Sequence, residues 1–181
     1  SRTFCIYGTK GCGKSVLIKS IAEELRGRGK IVLHFSFWAG SEAQRKLIDL
    51  LRTLMWQILS HVADADLEKL SRPLIESPCI DERGLIQSIH RGLSMIGQKV
   101  YCTIDSIDES TEDWNSYTDG CFSTILELVK SHTNLHLLLA GREPSVRTLL
   151  KDICPRLEIA DHLIQDDIHR LIAAELNGSL S

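Results

Sequence analysis

The sequence has 181 residues, of which 43% are hydrophobic and 25% charged, so it is long enough for one globular domain with a buried core. The formal net charge is −3 and no block of Lys and Arg occurs, which argues against a nucleic-acid partner. No apolar run approaches the roughly 18 residues that span a membrane, so no membrane partner is expected. The six cysteines form no CxxC pair, and they fit a reducing, cytoplasmic compartment better than a disulfide framework or a metal site.

The first predicted elements surround the string GTKGCGKS at residues 8–15. An apolar, strand-like run at 4–7 precedes the string, and a helical pattern over 14–27 follows it. This context is typical of a phosphate-binding loop; the alternative is a glycine-rich turn without a ligand. Because they lack Cβ, three glycines of the string can adopt positive φ and let the backbone approach a ligand closely: Gly8, Gly11 and Gly13.

Charge and geometry predict the chemistry of this loop. The amides of residues 10–15 can converge on phosphate oxygens at the positive end of the helix dipole. The Lys14 ammonium would meet the outer phosphates, and the Ser15 hydroxyl would be a ligand of Mg²⁺. The predicted nucleotide-binding residues of the loop are Gly8, Thr9, Lys10, Gly11, Cys12, Gly13, Lys14 and Ser15.

Further along the chain, strand-like runs alternate with helical patterns. Strands are predicted at 31–37, 99–104, 135–140 and 156–160. Helices are predicted at 42–62, 82–96, 120–131, 144–152 and 164–176. Residues 64–80 are ambiguous, with a short helix possible before Pro73 and Pro78. The alternation predicts an α/β fold, in which a parallel sheet is covered by helices on both faces. The loop at 8–15 then lies at the carboxyl end of the first strand, where open sheets of this kind bind ligands.

Acidic residues follow the predicted strand at 99–104. Asp105 ends this strand, and Asp108 and Glu109 come just beyond it. A nucleotide site needs one acid for Mg²⁺ and another that positions or activates water. Asp105 fits the magnesium role, through a water rather than directly. Asp108 and Glu109 fit the catalytic role, with Glu109 slightly favoured; the alternative is an acidic loop after a buried strand.

A third motif, LLLAGREP at 137–144, places Arg142 after a strand at the same edge of the sheet as the loop. An Arg there could contact the γ-phosphate of a bound nucleotide. The alternative is a solvated Arg that opens the next helix. The Asn-Lys-x-Asp motif with which GTPases usually read the base is missing from the sequence, which weakly favours ATP over GTP.

Together, these motifs resemble the NACHT family of signalling P-loop NTPases, which belong to the STAND class, and in particular the fungal incompatibility-type NACHT proteins. Ser106 follows the first Asp, and the acidic pair comes two positions later, which is telling for this group. The resemblance extends over GTKGCGKS, HFSFWAGSEAQRKLIDLLRTLMWQIL at 34–59, IDSIDE at 104–109, LLLAGREP and ADHLIQDDIHRLIAAEL. It implies a P-loop NTPase three-layer sandwich, with a mainly parallel five-stranded sheet in the order 5-1-4-3-2.

The resemblance also implies a nucleotide-driven switch, which holds ADP when off, exchanges it for ATP and assembles with neighbouring subunits as a homo-oligomer. The residues at 8–15 would bind ATP or ADP with Mg²⁺, with GTP as the alternative nucleotide. Asp105 would be the magnesium acid, Asp108 and Glu109 the hydrolytic acids, and Arg142 the sensor of the γ-phosphate. Ala140 and Gly141 depart from the family, which often has two serines there.

The expected function is therefore a slowly hydrolysing switch of a signal-transduction receptor in incompatibility or innate immunity. Residues 1–181 are expected to be one such domain of a longer protein, without its winged-helix region and with effector and sensor domains elsewhere. Two alternatives remain: a P-loop small-molecule kinase, and a non-catalytic interaction module that retains a structural nucleotide. The kinase would need an Arg-rich lid, whereas residues 110–119 are acidic and polar.

Overall fold

The computed structural model describes residues 1–76, 81–111, 121–142 and 154–160, and the structural statements below refer to these residues. The strands are β1 (Thr3–Gly8), β2 (Ile31–Ser36), β3 (Val100–Asp105), β4 (Leu135–Gly141) and β5 (Arg156–Ile159). The helices are α1 (Lys14–Gly27), α2 (Leu47–Leu59), α3 (Asp64–Glu76), α4 (Glu82–Met95) and α5 (Cys121–Ser131). Short 3₁₀ turns occupy Glu42–Gln44 and Ile107–Glu109.

The five strands form one parallel sheet in the order β2-β3-β4-β1-β5. Read from the other edge, this is the order 5-1-4-3-2, so the predicted fold class and strand order are confirmed. Since all strands run the same way, their carboxyl ends meet along one edge of the sheet. Gly8 of β1, Asp105 of β3 and Gly141 of β4 therefore lie at the same edge.

Helices cover both faces of the sheet. On one face, alternate strand residues such as Leu33, Cys102 and Leu137 pack with α2, α4 and α5 in the main core. On the other face, α1 packs through Ile18 against Ile6 of β1 and Ala140 of β4. Burial of each large aliphatic side chain contributes about 1.5–3 kcal/mol. Among the described helices, none is long and apolar enough to cross a membrane.

The helix predicted at 42–62 is wrong in its first part. The structure has a 3₁₀ turn and then extended backbone at Lys46 (φ −111°, ψ 157°) before α2 begins. Residues 41–46 carry no large apolar side chain, so a helix there would bury little, and the Asp49 carboxylate instead accepts a hydrogen bond from the Lys46 amide at 3.3 Å. The segment 64–80, which is ambiguous from the sequence, contains α3, and this helix continues past Pro73. The helices predicted at 144–152 and 164–176 lie outside the described residues.

One side chain of α2 completes the exposed edge of the sheet. β2 is an edge strand, and Gln57 bonds both backbone groups of His34 there: Oε1 accepts from the amide and Nε2 donates to the carbonyl, each at 2.7 Å. The Gln57 amide thus substitutes for a neighbouring strand at this point. Pairing of this kind satisfies backbone groups that would otherwise invite another chain to add a strand.

Replacement of this side chain should weaken the fold. In Gln57→Ala we expect a loss of about 1–2 kcal/mol in the free energy of unfolding, because two hydrogen bonds to a half-buried backbone disappear. Urea unfolding followed by circular dichroism measures the loss. The matched control is Trp56→Ala on the same helix, whose side chain is 74% exposed, and which should change stability by no more than about 0.5 kcal/mol. Equal stability of Gln57→Ala and the parent would contradict the edge role of Gln57.

One buried and one half-buried histidine make the fold sensitive to acid. His132 is buried, and its Nε2 lies 2.8 Å from Nδ1 of His90 on α4. Burial, and secondly the charge of His90, lower the pKa of His132. Burial also lowers the pKa of His34, against the opposing effect of the Asp105 carboxylate. Since these pKa values lie below the ordinary value of about 6.5, the unfolded chain binds more protons than the folded chain as the pH falls.

The free energy of unfolding should therefore have its full value above about pH 6.5 and decrease as the pH drops below that value. We expect a lower free energy of unfolding at about pH 5.5 than at about pH 7.5, measured by urea unfolding at both. In His132→Gln, the free energy of unfolding should differ less between the two pH values, because the variant lacks one histidine whose protonation the folded state opposes. The matched control is His61→Gln, since His61 is exposed. This variant should show the same difference in the free energy of unfolding between the two pH values as the parent. A pH difference that His132→Gln leaves unchanged would rule out this histidine as a contributor.

Candidate functional site

The loop between β1 and α1 owes its shape to two glycines. Gly11 has φ 84° and Gly13 has φ 83°, a left-handed region in which other residues are strained. Gly13 is the residue before α1, so the reversed backbone at this point starts the helix. The first turn of α1 holds no acidic residue, which leaves its amide end free of a competing carboxylate. These features are those of an anion-binding helix terminus.

Gly8 differs from the other two glycines of the string. Its φ is not positive, so the freedom to adopt positive φ is not used at this residue. Gly8 is still paired with Ile159 of β5 in the sheet, and a Cβ there would lie 2.6 Å from the Ile159 carbonyl oxygen. The same Cβ would lie 2.8 Å from Sγ of Cys12, which is buried under the loop. Close packing, not backbone conformation, therefore excludes a side chain at this position.

Lys14 reaches back across the loop. Its Nζ donates to the Gly8 carbonyl at 3.0 Å and to the Thr9 carbonyl at 2.7 Å, and lies 3.5 Å from Sγ of Cys12. The ammonium is thereby held at the mouth of the loop, close to the amide end of α1. The predicted outer-phosphate ligand is thus near the position that a phosphate would take at this terminus.

Asp105 ends β3 as a buried residue. Its Oδ1 accepts a hydrogen bond from the Ser106 amide at 2.7 Å. Ser106 adopts a left-handed conformation (φ 55°), which turns the chain into the 3₁₀ turn at Ile107–Glu109. Ile107 is buried and anchors this turn, so that the two following acids face the loop. The position of Asp105 behind the pocket is compatible with a contact to Mg²⁺ through water.

Asp108 and Arg142 form a tight ion pair. Oδ1 of Asp108 accepts from the Arg142 amide and Oδ2 from Nε, both at 2.9 Å. The Asp108 side chain is only 9% exposed, whereas that of Arg142 is 42% exposed. The carboxylate therefore fixes both the backbone after β4 and the direction of the guanidinium.

Glu109 is held more loosely and is more open. Its Oε2 accepts from the Ala39 amide at 2.9 Å, and its Oε1 lies 3.7 Å from Nη2 of Arg142. The Glu109 side chain is 26% exposed. Of the two acids, Glu109 thus has the carboxylate that a water molecule could reach.

The loop, the acids and Arg142 line one pocket of about 300 Å³ that is open to solvent. Its lining residues are Lys10, Gly11, Gly13, Lys14, Ser15, Val16, Ser106, Asp108, Glu109 and Arg142. Three cationic side chains face two acidic ones, a balance that suits an anionic ligand with a bound cation. Four predicted residues lie outside this lining: Gly8, Thr9, Cys12 and Asp105.

The sequence interpretation missed three residues at this site. Val16 and Ser106 line the pocket without having been predicted to do so. The Ala39 amide contacts Glu109, and its only signal in the sequence is its place just after β2, at the edge where the other site residues gather. A backbone donor leaves no side-chain pattern by which it could be recognised.

Comparison with known proteins relates the chain to one family and one fold. The family described as nephrocystin 3, N-terminal, matches residues 1–142. No curated protein matches the chain. The structure of Cdc6p from Pyrobaculum aerophilum is similar with a TM-score of 0.55 and 12% identity, over 85% of this chain and 38% of that one. A Walker-type ATPase of Pyrococcus abyssi is similar with a TM-score of 0.51 and 12% identity, over 88% and 49%. At these identities the likeness is one of fold, and the chain spans less than half of either protein.

Proposed function

The chain belongs to the nephrocystin 3 N-terminal family, a NACHT-like P-loop family, and from this membership we propose that it binds a nucleoside triphosphate with Mg²⁺ and hydrolyses it slowly. The observation that carries the proposal is the convergence of Lys14, Glu109 and Arg142 on one pocket at the amide end of α1. Hydrolysis of a phosphoanhydride needs positive charge that stabilises the phosphates and a carboxylate that positions the attacking water.

The loop supplies the phosphate site. The amides of residues 10–15 surround the start of α1, where the helix dipole favours a negative charge. Lys14 exchanges the carbonyls of Gly8 and Thr9, its present acceptors at 3.0 and 2.7 Å, for phosphate oxygens. Lys10 lines the same pocket and adds a second positive charge.

The magnesium ligand would be Ser15, with Asp105 behind it. Ser15 lines the pocket, and Asp105 is buried at the carboxyl end of β3, which β4 separates from β1 in the sheet. A hydroxyl and a carboxylate supply the oxygen donors that Mg²⁺ prefers, with waters in the remaining positions. When bound, Mg²⁺ would supply positive charge that offsets the negative charge developing on the outer phosphates.

Of the two acids, we assign water activation to Glu109. Asp108 has both oxygens engaged by Arg142 and is almost covered, so it serves to hold the guanidinium that would contact the γ-phosphate. Glu109 keeps a more exposed carboxylate at the wall of the same pocket. Its role would be to orient a water in line with the bond that breaks, and to accept the proton.

The finer parts of the proposal rest on the sequence motifs. We propose ATP as the preferred triphosphate and ADP as the resting ligand of a switch that assembles into homo-oligomers. The resemblance to fungal NACHT proteins supports a cytoplasmic signalling role in incompatibility or innate immunity. Residues 1–181 would then be the nucleotide-binding domain of a longer protein whose sensor and effector domains lie elsewhere.

Binding of a fluorescent ATP analogue to the chain, with and without Mg²⁺, tests the proposal. We expect Mg²⁺-dependent binding that ATP and ADP displace more readily than GTP does. Phosphate release measured on the same sample should be slow and should need no second substrate. Binding that requires no Mg²⁺ and yields no phosphate would contradict the hydrolytic part. Consumption of ATP only in the presence of a metabolite would indicate a kinase instead.

A further inference from the structure

The Ala39 amide stands out because it donates to a carboxylate of the proposed reaction. It lies in the connection between β2 and α2, residues 37–46, and its nitrogen is 2.9 Å from Oε2 of Glu109. These residues are 70 positions apart in the sequence. The contact therefore depends on the fold and not on local chain geometry.

The connection is bound to the acidic segment on both sides of this contact. Before it, the Phe37 amide donates to the Asp105 carbonyl at 3.1 Å. After it, the Arg45 carbonyl accepts from the Thr111 amide and from the Ser110 hydroxyl, each at 2.9 Å. Since the chain is fixed on both sides, the Ala39 amide has a defined position relative to the pocket.

Hydrogen bonds inside the connection also direct this amide. The Trp38 amide donates to the Gln44 carbonyl and the Ser41 amide to the Trp38 carbonyl, both at 3.1 Å. Gly40 lies against the Trp38 ring, since a Cβ on it would be 2.8 Å from ring carbons. The resulting tight turn presents the Ala39 amide to Glu109.

We propose that the Ala39 amide is a positioning group for Glu109 during hydrolysis, an inference that rests on the function proposed above. A glutamate has three rotatable side-chain bonds, so a carboxylate without partners samples many orientations. Here the Ala39 amide holds one oxygen and the Arg142 guanidinium lies 3.7 Å from the other. The carboxylate plane is thereby set, and with it the direction in which the carboxylate can hold the attacking water.

Proline at position 39 removes the donor without touching any side chain in the pocket. In Ala39→Pro we expect kcat for ATP hydrolysis to fall about tenfold while the affinity for ATP stays unchanged. The matched control is Glu42→Pro in the same connection. Position 42 is the first residue of a 3₁₀ turn, and Ser41 before it is extended (φ −133°, ψ 120°), as a residue before proline should be. This control should keep the parental kcat.

A double-mutant cycle separates positioning from a structural role. In a Glu109→Ala background, Ala39→Pro should cause no further loss of kcat, because the group through which it acts is gone. The same loss in both backgrounds would overturn the inference. So would a parental kcat in Ala39→Pro with ATP still bound. A parent that binds no ATP would instead refute the proposed function itself.

Backbone amide NMR decides the matter if Ala39→Pro fails to fold. The Ala39 amide donates to Oε2 of Glu109 at 2.9 Å, so Glu109→Ala should shift the Ala39 amide proton resonance, because the acceptor is gone. Glu158→Ala on β5, outside the pocket lining, should leave this resonance unchanged. An Ala39 resonance that stays unchanged in Glu109→Ala would show that the hydrogen bond is not formed, and would overturn the inference.

Discussion

Lys14→Ala is expected to weaken the binding of ATP with Mg²⁺ about 100-fold, which corresponds to about 2.7 kcal/mol. The ammonium lies at the mouth of the loop, beside the amide end of α1, and it would carry the main side-chain charge on the outer phosphates. The substitution also removes the two hydrogen bonds that Nζ donates to the Gly8 and Thr9 carbonyls, so the loop without nucleotide should be less rigid. Titration with a fluorescent ATP analogue measures the change in affinity.

Lys19→Ala is the matched control for this result. Lys19 carries the same charge on the same helix, but its side chain is exposed and forms an i,i+4 pair with Glu23, away from the pocket. Affinity for ATP should stay at the parental value in this variant. Equal affinity for ATP in Lys14→Ala and Lys19→Ala would contradict nucleotide binding at the loop of residues 8–15.

Glu109→Gln should lower the hydrolysis rate by about 10²- to 10³-fold while ATP still binds. The amide has the shape of the carboxylate and can still accept a hydrogen bond from Ala39, so the pocket should keep its form. It has no negative charge, however, and it cannot take the proton of the attacking water. Phosphate release in single-turnover experiments measures the rate apart from nucleotide exchange.

Asp108→Asn provides the comparison between the two acids. It keeps an oxygen that can accept from the Arg142 amide but loses the carboxylate oxygen that holds Nε, so we expect a smaller loss of rate together with weaker binding of ATP. Loss of hydrolysis in Asp108→Asn with retained hydrolysis in Glu109→Gln would reverse the assignment. Nucleotide that is retained without any turnover, in the parent and in both variants, would favour a non-catalytic module.

Local pattern was enough to predict most of the elements that carry the site. The apolar run before the loop, the helix at 14–27 and the strand ending on Asp105 all have strong periodicity or clear stop signals, and the structure has them within two residues. The strand order was implied by the resemblance and not by any pattern within the chain. The helix at 42–62 failed because its first residues are polar, so that contacts from Ser110 and Thr111 decide their conformation.

Contacts between residues that are distant in the sequence could not be predicted from local pattern. The motifs indicated that Asp108, Glu109 and Arg142 reach one edge of the sheet, but not that Asp108 binds Arg142 while Glu109 stays open. That difference depends on where Ile107 packs and on the left-handed turn at Ser106. The motif likewise indicated that Gly8 can adopt positive φ, but not that β5, far away in the sequence, leaves no room for a side chain there.

The most direct test of nucleotide binding at this pocket is the shift of backbone amide resonances when a non-hydrolysable ATP analogue is added with Mg²⁺. The expected result is a set of large shifts at residues 10–15, at Glu109 and at Arg142, with small shifts elsewhere. Shifts centred instead on the separate pocket that includes Tyr101 and His136, or no shifts at saturating nucleotide, would contradict it.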